Sequence, residues 1–209
     1  MAGLELFLVR HGQSLSNVEG RLCAEPPGPA LTVRGWAQAQ AAARLVEAGA
    51  TGPVRIVTSP LLRAWQTAQA LAGPLGDLPA ILGGLRETAF GAWEGKTHRE
   101  LRGEPAYRVW LRQPDSDAPP GVECVADAGG RVWRALTAIA VAGLTGSLAA
   151  YSHQHPILGF VRRSGLPAGE DEIPNAVVVR ATWTGDGWRV RDIDPAAAAA
   201  GAPVPSARA

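Results

Sequence analysis

The chain is almost without lysine. Lys96 is the only one, so its 20 basic residues are otherwise arginines. Set against 19 acidic residues, they leave a formal net charge of +1. So even a balance calls for no nucleic acid and no membrane surface as partner. Cysteine is scarce as well: Cys23 and Cys124 stand apart with no metal-type spacing. Two free thiols are expected, since nothing points to an oxidising compartment. No apolar run reaches the ~18 residues of a spanning helix. No basic stretch followed by an apolar one opens the chain, and no internal repeat is found. These absences leave a soluble cytoplasmic protein as the expectation. The arginine that is present is the better fork for phosphate and carboxylate.

The 209 residues allow one large α/β domain with a modest insertion, long enough to need no staples. Residues 6–9 form a short apolar run of strand length. It ends abruptly in Arg10-His11-Gly12, where glycine allows close backbone approach or positive φ. A helix is expected from a Thr32 cap to about residue 48, and a strand over 54–58. Ser59-Pro60 reads as N-cap and first position of a helix carrying Leu61, Leu62, Trp65, Ala68 and Leu71. Residues 73–79 read as loop and 80–82 as a short strand. Thr97 and Glu100 have the spacing of a capping box. Residues 112–121 are a Pro/Asp-rich loop, followed by a helix over about 122–142. A strand at 147–151 leads into Ser152-His153-Gln154-His155-Pro156 and a helix over 157–164. Strands at 176–179 and 188–191 flank a Gly185-Asp186-Gly187 turn. Residues 195–209 are Ala/Pro-rich and are expected to be a disordered tail. Strand and helix alternate, which favours α/β with a mostly parallel sheet.

One arrangement repeats three times. His11 follows the first strand, Ser59 and Arg63 follow the second, and His153 follows a later one. A lone histidine at a strand end is more often satisfied by backbone than functional. Parallel neighbours, however, would bring all of these to one crevice at the carboxyl ends of the strands. Arg10 and Arg63 could fork onto phosphate oxygens, and helix starts would add N–H groups. Such an anion pocket suits phosphoryl transfer. His11 would attack phosphorus, with His153 and the arginines stabilising the equatorial oxygens. A carboxyl group must protonate the departing oxygen and then activate water. Glu87 is the candidate, in an otherwise apolar and aromatic loop. Glu94 is its rival, expected instead to partner nearby backbone. A metal hydrolase is the weaker reading, because His153 and His155 have no acidic ligand cluster beside them.

Arg10-His11-Gly12-Gln13-Ser14 with Asn17 resembles the signature of the histidine phosphatase superfamily, in its phosphoglycerate-mutase-like branch. The likeness continues through Leu31-Thr32 with Gly35, Ser59-Pro60-Leu61 with Arg63, and Leu85 with Glu87. Phe90-Gly91, Trp93-Glu94-Gly95 and Ser152-His153 complete it. The resemblance implies a three-layer α/β/α sandwich with a mostly parallel central sheet. A domain over 1–194 would carry a short cap insertion at about 96–121. It implies His11 as the phosphorylated nucleophile, Arg10, Arg63 and His153 as the phosphate pocket, and Glu87 as the proton donor. Asn17, Ser16, Gln154 and Arg21 are the substrate-binding candidates, with Arg86 and His98 as further ones. No metal and no cofactor are implied. Two departures stand out: Gln154-His155 replaces a common Gly-Gly, and Thr88-Ala89 stands where an acidic residue often precedes Phe90.

The expected function is hydrolysis of a small phosphorylated metabolite through a phosphohistidine. A cofactor-dependent phosphoglycerate mutase and a catalytically silent phospho-ligand-binding module are the alternatives. The cap is expected to hold one short helix and a loop, with Arg99, Arg102, Arg108 and Arg112 on it. A homodimer is one assembly the sequence allows.

Overall fold

The computed structural model describes residues 3–115 and 119–201. The chain runs β1 (Leu4–Arg10), α1 (Leu15–Glu19), α2 (Val33–Gly49), β2 (Val54–Thr58), α3 (Leu62–Leu75) and β3 (Ala80–Ile81). It continues through α4 (His98–Leu101), α5 (Pro105–Arg112), α6 (Val125–Val141), β4 (Gly146–Ser152), α7 (Gln154–Arg163), β5 (Val178–Trp183) and β6 (Trp188–Asp194). The strands form one sheet in the order β3-β2-β4-β1-β5-β6. β3, β2, β4 and β1 are mutually parallel; β5 is antiparallel to β1, and β6 to β5. Only β5 therefore runs against the rest, and the sheet is mostly parallel as expected.

β1 shows why three layers form. Leu6 and Leu8 join the core shared with α6 and α7. Phe7 and Val9 join the core shared with α2 and α3. Alternate side chains point to opposite faces, so a strand covered by helices on both sides must be apolar throughout. Each such side chain contributes roughly 1.5–3 kcal/mol on full burial.

Local chemistry sets several helix starts. Thr32 Oγ1 accepts from the Gly35 N–H at 3.0 Å to begin α2. Thr97 and Glu100 form the expected reciprocal box at α4. Ser59 does not cap α3, which corrects the expectation: the helix starts at Leu62 with Leu61 in the cap position and no side-chain cap bond. α3 also runs on through Pro74 to Leu75 and closes on Gly76 at φ 72°. A proline in the last turn removes only one N–H, and the left-handed glycine supplies the stop. α7 begins at Gln154, three residues before the expected start.

Gly12 needs close approach, not positive φ. A Cβ built there would lie 2.3 Å from the Gly35 carbonyl oxygen, and one on Gly35 would lie 2.0 Å from that of Gln13. The loop that carries His11 thus rests directly on the start of α2.

The segment between β3 and α6 holds two helices, α4 and α5, where one was expected. They enclose a small cluster of their own with Leu22, Phe90, Trp93, Leu101, Tyr107 and Trp110. Disorder from residue 195 onward is also corrected. Ala196–Ala199 forms a 3₁₀ turn with Ala197 buried, and Gln38 Nε2 donates to the Ala198 carbonyl at 2.7 Å. The rest of that expected tail, 202–209, lies outside the described residues. Among the described residues both cysteines are free, and no helix is long and apolar enough to cross a membrane.

Candidate active site

Sheet register assembles the site. β1 and β4 pair so that Arg10 lies opposite Ser152, and the His11 N–H donates to the Ser152 carbonyl at 3.1 Å. β2 lies on the other side of β4, and the Ser59 N–H donates to the Tyr151 carbonyl at 2.9 Å. One residue beyond the strands, the rings of His11 and His153 stand 5.1 Å apart. His153 Nε2 is 2.7 Å from Ser59 Oγ. Ser59 therefore serves the histidine, not the helix.

The hydrogen bonds of His11 fix its tautomer. Nδ1 lies 2.7 Å from the Gly12 carbonyl, which can only accept. Arg63 Nε, which can only donate, lies 3.0 Å from Nε2. The proton sits on Nδ1 and the lone pair on Nε2. Burial and the charges of Arg63 and Arg10 hold the imidazole well below its usual range, so it is neutral at pH 7. His153 is likewise pushed well below that range by burial, Arg63 and His11.

Arg10 is buried, with Nη1 bound to the Ile173 carbonyl at 2.6 Å. Burial lowers its guanidinium to about 10, still charged at neutral pH. Arg63 is buried too, and Nη2 donates to the Cys23 carbonyl at 2.8 Å. Arg10 Nε and Arg63 Nη1 are buried without a hydrogen-bond partner among the described residues. Buried donors of this kind normally find an acceptor, and an anion with several oxygens supplies one.

Glu87 stands between these groups. Its Oε2 is 3.6 Å from Arg63 Nη2 and 3.6 Å from His153 Nδ1. Its Oε1 accepts from the Thr88 N–H at 3.0 Å. The apolar surroundings expected of it are corrected: a cation and an imidazole face its carboxylate. Glu94 is tied to the backbone, accepting from the Ala24 N–H at 2.8 Å.

Arg131 on α6 secures the loop behind Glu87, and no motif pointed to it. It donates to the carbonyls of Gly84 at 2.8 Å, Arg86 at 2.9 Å and Glu87 at 3.3 Å. The same guanidinium grips both carboxylate oxygens of Glu123, at 2.9 and 2.7 Å. Such a two-point pair fixes orientation as well as distance.

A cleft of about 120 Å³ opens over this set. Arg10, His11, Arg63 and Glu87 line it; so do Ser16, Asn17, Arg21 and Gln154. His153 is fully buried behind them and is not among the lining residues. His98 reaches the cleft, whereas Arg86 lies in a neighbouring groove, 3.8 Å from Glu123. Sequence reasoning missed Glu170, Cys23 and Trp110 as lining residues. The ligand atoms of His11, Glu87 and His153 fall within 4.8 Å of one another, close enough for a metal. Arg10 and Arg63 beside them make the pocket better suited to an anion.

An open α/β sandwich with two histidines and two arginines at its strand ends defines a phosphoryl-handling class of site. A profile of the histidine phosphatase superfamily (branch 1) matches residues 6–194. The chain belongs to that superfamily. It is 37% identical over 166 residues to a bifunctional protein of Mycobacterium tuberculosis, covering 78% of this chain but 44% of that one. It is 36% identical over 132 residues to a glucosyl-3-phosphoglycerate phosphatase of the same species, covering 63% and 58% of the two chains. The chain thus spans less than two thirds of these relatives. The solved structure of mycobacterial glucosyl-3-phosphoglycerate phosphatase with VO3 superposes at TM-score 0.76, with 29% identity over 91% of this chain and 98% of that one.

Proposed function

We propose that the chain is a metal-independent phosphomonoesterase acting on a small phosphorylated metabolite through a phosphohistidine at His11. One observation carries this reading: the fixed tautomer of His11, whose Nε2 lone pair meets Arg63. A neutral imidazole with its lone pair facing buried cations is a nucleophile placed beside an anion site.

In the first step Nε2 attacks phosphorus while the bond to the leaving oxygen breaks. Arg10 and Arg63 take the charge on the equatorial oxygens. The Gly12 carbonyl keeps the proton on Nδ1 and supports the positive charge that develops on the ring. Glu87 as the acid gives its proton to the leaving oxygen, which departs as an alcohol. In the second step the Glu87 carboxylate takes a proton from water, the water oxygen attacks phosphorus, and the P–N bond breaks. Phosphate leaves and His11 returns to its starting tautomer. His153 acts from behind, bonded through Nε2 to Ser59, with Nδ1 3.6 Å from the Glu87 carboxylate and without a hydrogen-bond partner among the described residues. Asn17, Ser16 and Gln154 are left to contact the rest of the substrate, while Arg21, tied to Glu19 and the Gly95 carbonyl, borders them.

The relatives support this reading through their names, which include a phosphatase, and through the VO3 bound to one of them. The test is hydrolysis of p-nitrophenyl phosphate in excess EDTA, with vanadate as inhibitor. Turnover should persist in EDTA and fall with vanadate. No turnover, or turnover restored only by a divalent metal, overturns the proposal.

A further inference from the structure

The cleft has two chemically different ends. The inner end holds Arg10, Arg63 and His11. The outer end is built around Glu170, His155 and Trp110. Glu170 Oε1 lies 3.5 Å from His155 Nε2, and the Glu170 carbonyl accepts from Gln154 Nε2 at 3.0 Å. His155 holds the Glu170 carboxyl below its usual range, so it is an anion at neutral pH. Trp110 is 1% exposed, and its indole N–H has no partner among the described residues. His155 Nδ1 is likewise buried without one. The rings of Trp110 and His155 meet edge to face at 5.1 Å, and Phe90 closes the corner 6.2 Å from His155.

Cations are few at this end. Arg99, Arg102, Arg108 and Arg112 are exposed on the cap and absent from the lining. Arg21 lines the cleft, but its guanidinium is held by Glu19 and the Gly95 carbonyl. Burial pushes His98 down, so it is neutral at pH 7. The outer end therefore offers a carboxylate acceptor and an aromatic wall; among the described lining residues the cation whose charge acts on Glu170 is Arg10, and a bound phosphoryl group occupies it.

We propose that this outer end is a leaving-group subsite selecting phosphomonoesters whose alcohol is neutral and hydroxylated, and rejecting those that carry a carboxylate. It rests on the phosphatase reading above and adds the substrate class. A hydroxyl donates to the Glu170 carboxylate while the rest of the alcohol packs beside the Trp110–His155 wall. A carboxylate in the same place meets Glu170 across a narrow, partly desolvated cleft, where like charges repel strongly. This sets the chain apart from relatives whose names carry a phosphoglycerate.

A matched pair of substrates tests the subsite. Glycerol 3-phosphate and 3-phosphoglycerate share a three-carbon skeleton, and one has a hydroxymethyl group where the other has a carboxylate. The wild-type chain should favour glycerol 3-phosphate in kcat/KM by about tenfold or more, a difference that corresponds to roughly 1.4 kcal/mol. Glu170→Gln keeps an acceptor and removes the charge, so it should narrow that ratio by about tenfold. A ratio is independent of the active fraction, so partial misfolding does not disguise the result. Equal use of both substrates, a preference for phosphoglycerate, or a ratio unmoved by Glu170→Gln overturns the subsite. The same ratio read as Kd values on an inactive His11→Ala variant needs no turnover. If the wild-type chain hydrolyses nothing but His11→Ala still prefers glycerol 3-phosphate, the phosphatase reading fails and the subsite stands.

Discussion

Arg63 donates its Nε hydrogen to Nε2 of His11 across 3.0 Å, so the lone pair that would attack phosphorus is the one the guanidinium occupies. An arriving phosphoryl group would take over both partners, replacing His11 as the acceptor for Arg63 and exposing the lone pair. His11→Ala should then abolish turnover while the fold, held by sheet and helix burial, stays intact. Rapid quench with labelled substrate followed by peptide mapping should place the label on His11. A label on His153, or on no histidine, would remove His11 from the nucleophile's role.

The lowered values of His11 and His153 give the pH dependence a definite sign. Their folded-state values lie below the ordinary 6.5. Between the two values the unfolded chain binds more protons than the native one, so stability rises with pH through that window. Stability from these groups is full above about 6.5 and declines as pH drops below it. The acid limb of kcat/KM should also lie below 6.5, since His11 stays neutral there. Thermal unfolding between pH 7.5 and 5 in a phosphate-free buffer checks the first statement. A Tm that stays level or rises as pH falls would contradict it.

Glu87 and Arg131 should share one kinetic signature. Glu87→Gln cannot give up a proton and should slow turnover by roughly 10²–10⁴-fold. The loss should shrink for an aryl phosphate, whose leaving group needs little protonation. Arg131→Met releases the three carbonyls and the Glu123 pair that hold the Glu87 loop. A shift of ~1 Å in a reacting group can cost about 10²-fold, and this loss should also shrink for the aryl phosphate. A structural role alone would lower all substrates equally. Uniform losses in Arg131→Met would show that it supports the fold and not the acid.

Much of this arrangement was legible because the chemistry follows the strands in sequence. The apolar runs gave β1, β2 and β4 closely, and each run leads into one of the residues that meet at the strand ends beneath the cleft. What stayed hidden depends on contacts distant in sequence. Arg131 sits mid-helix with no motif to mark it, and the three carbonyls it holds lie more than forty residues upstream. Glu170 lies in a segment that reads as plain loop. Ser59-Pro60 has the local form of a helix start, but the ring of His153 claims the hydroxyl instead. The 195–201 stretch reads as low complexity, yet Ala197 finds a buried place against α2. The surroundings of Glu87 differ from those its loop suggests because Arg63 and His153, which face its carboxylate, lie far from it in sequence.

Phosphatase and mutase share the phosphohistidine and differ in what happens to it. A mutase hands the phosphoryl group back to a phosphoglycerate, so it must exclude water and hold that acid over the pocket. Cations on the cap would be the natural means. Here the cap contributes His98, Trp110 and Leu111 to the cleft, while Arg99, Arg102, Arg108 and Arg112 are exposed elsewhere on it. The charge that does reach the outer end is Glu170, of the same sign as the acid to be held. Water should therefore clear the phosphohistidine faster than a returning phosphoglycerate. With 3-phosphoglycerate and a bisphosphoglycerate primer, phosphate release should exceed formation of 2-phosphoglycerate by at least about tenfold, a difference of roughly 1.4 kcal/mol in barrier. Isomer formation outrunning phosphate release would make the chain a mutase, and the exposed arginines would then have to close over the cleft during turnover.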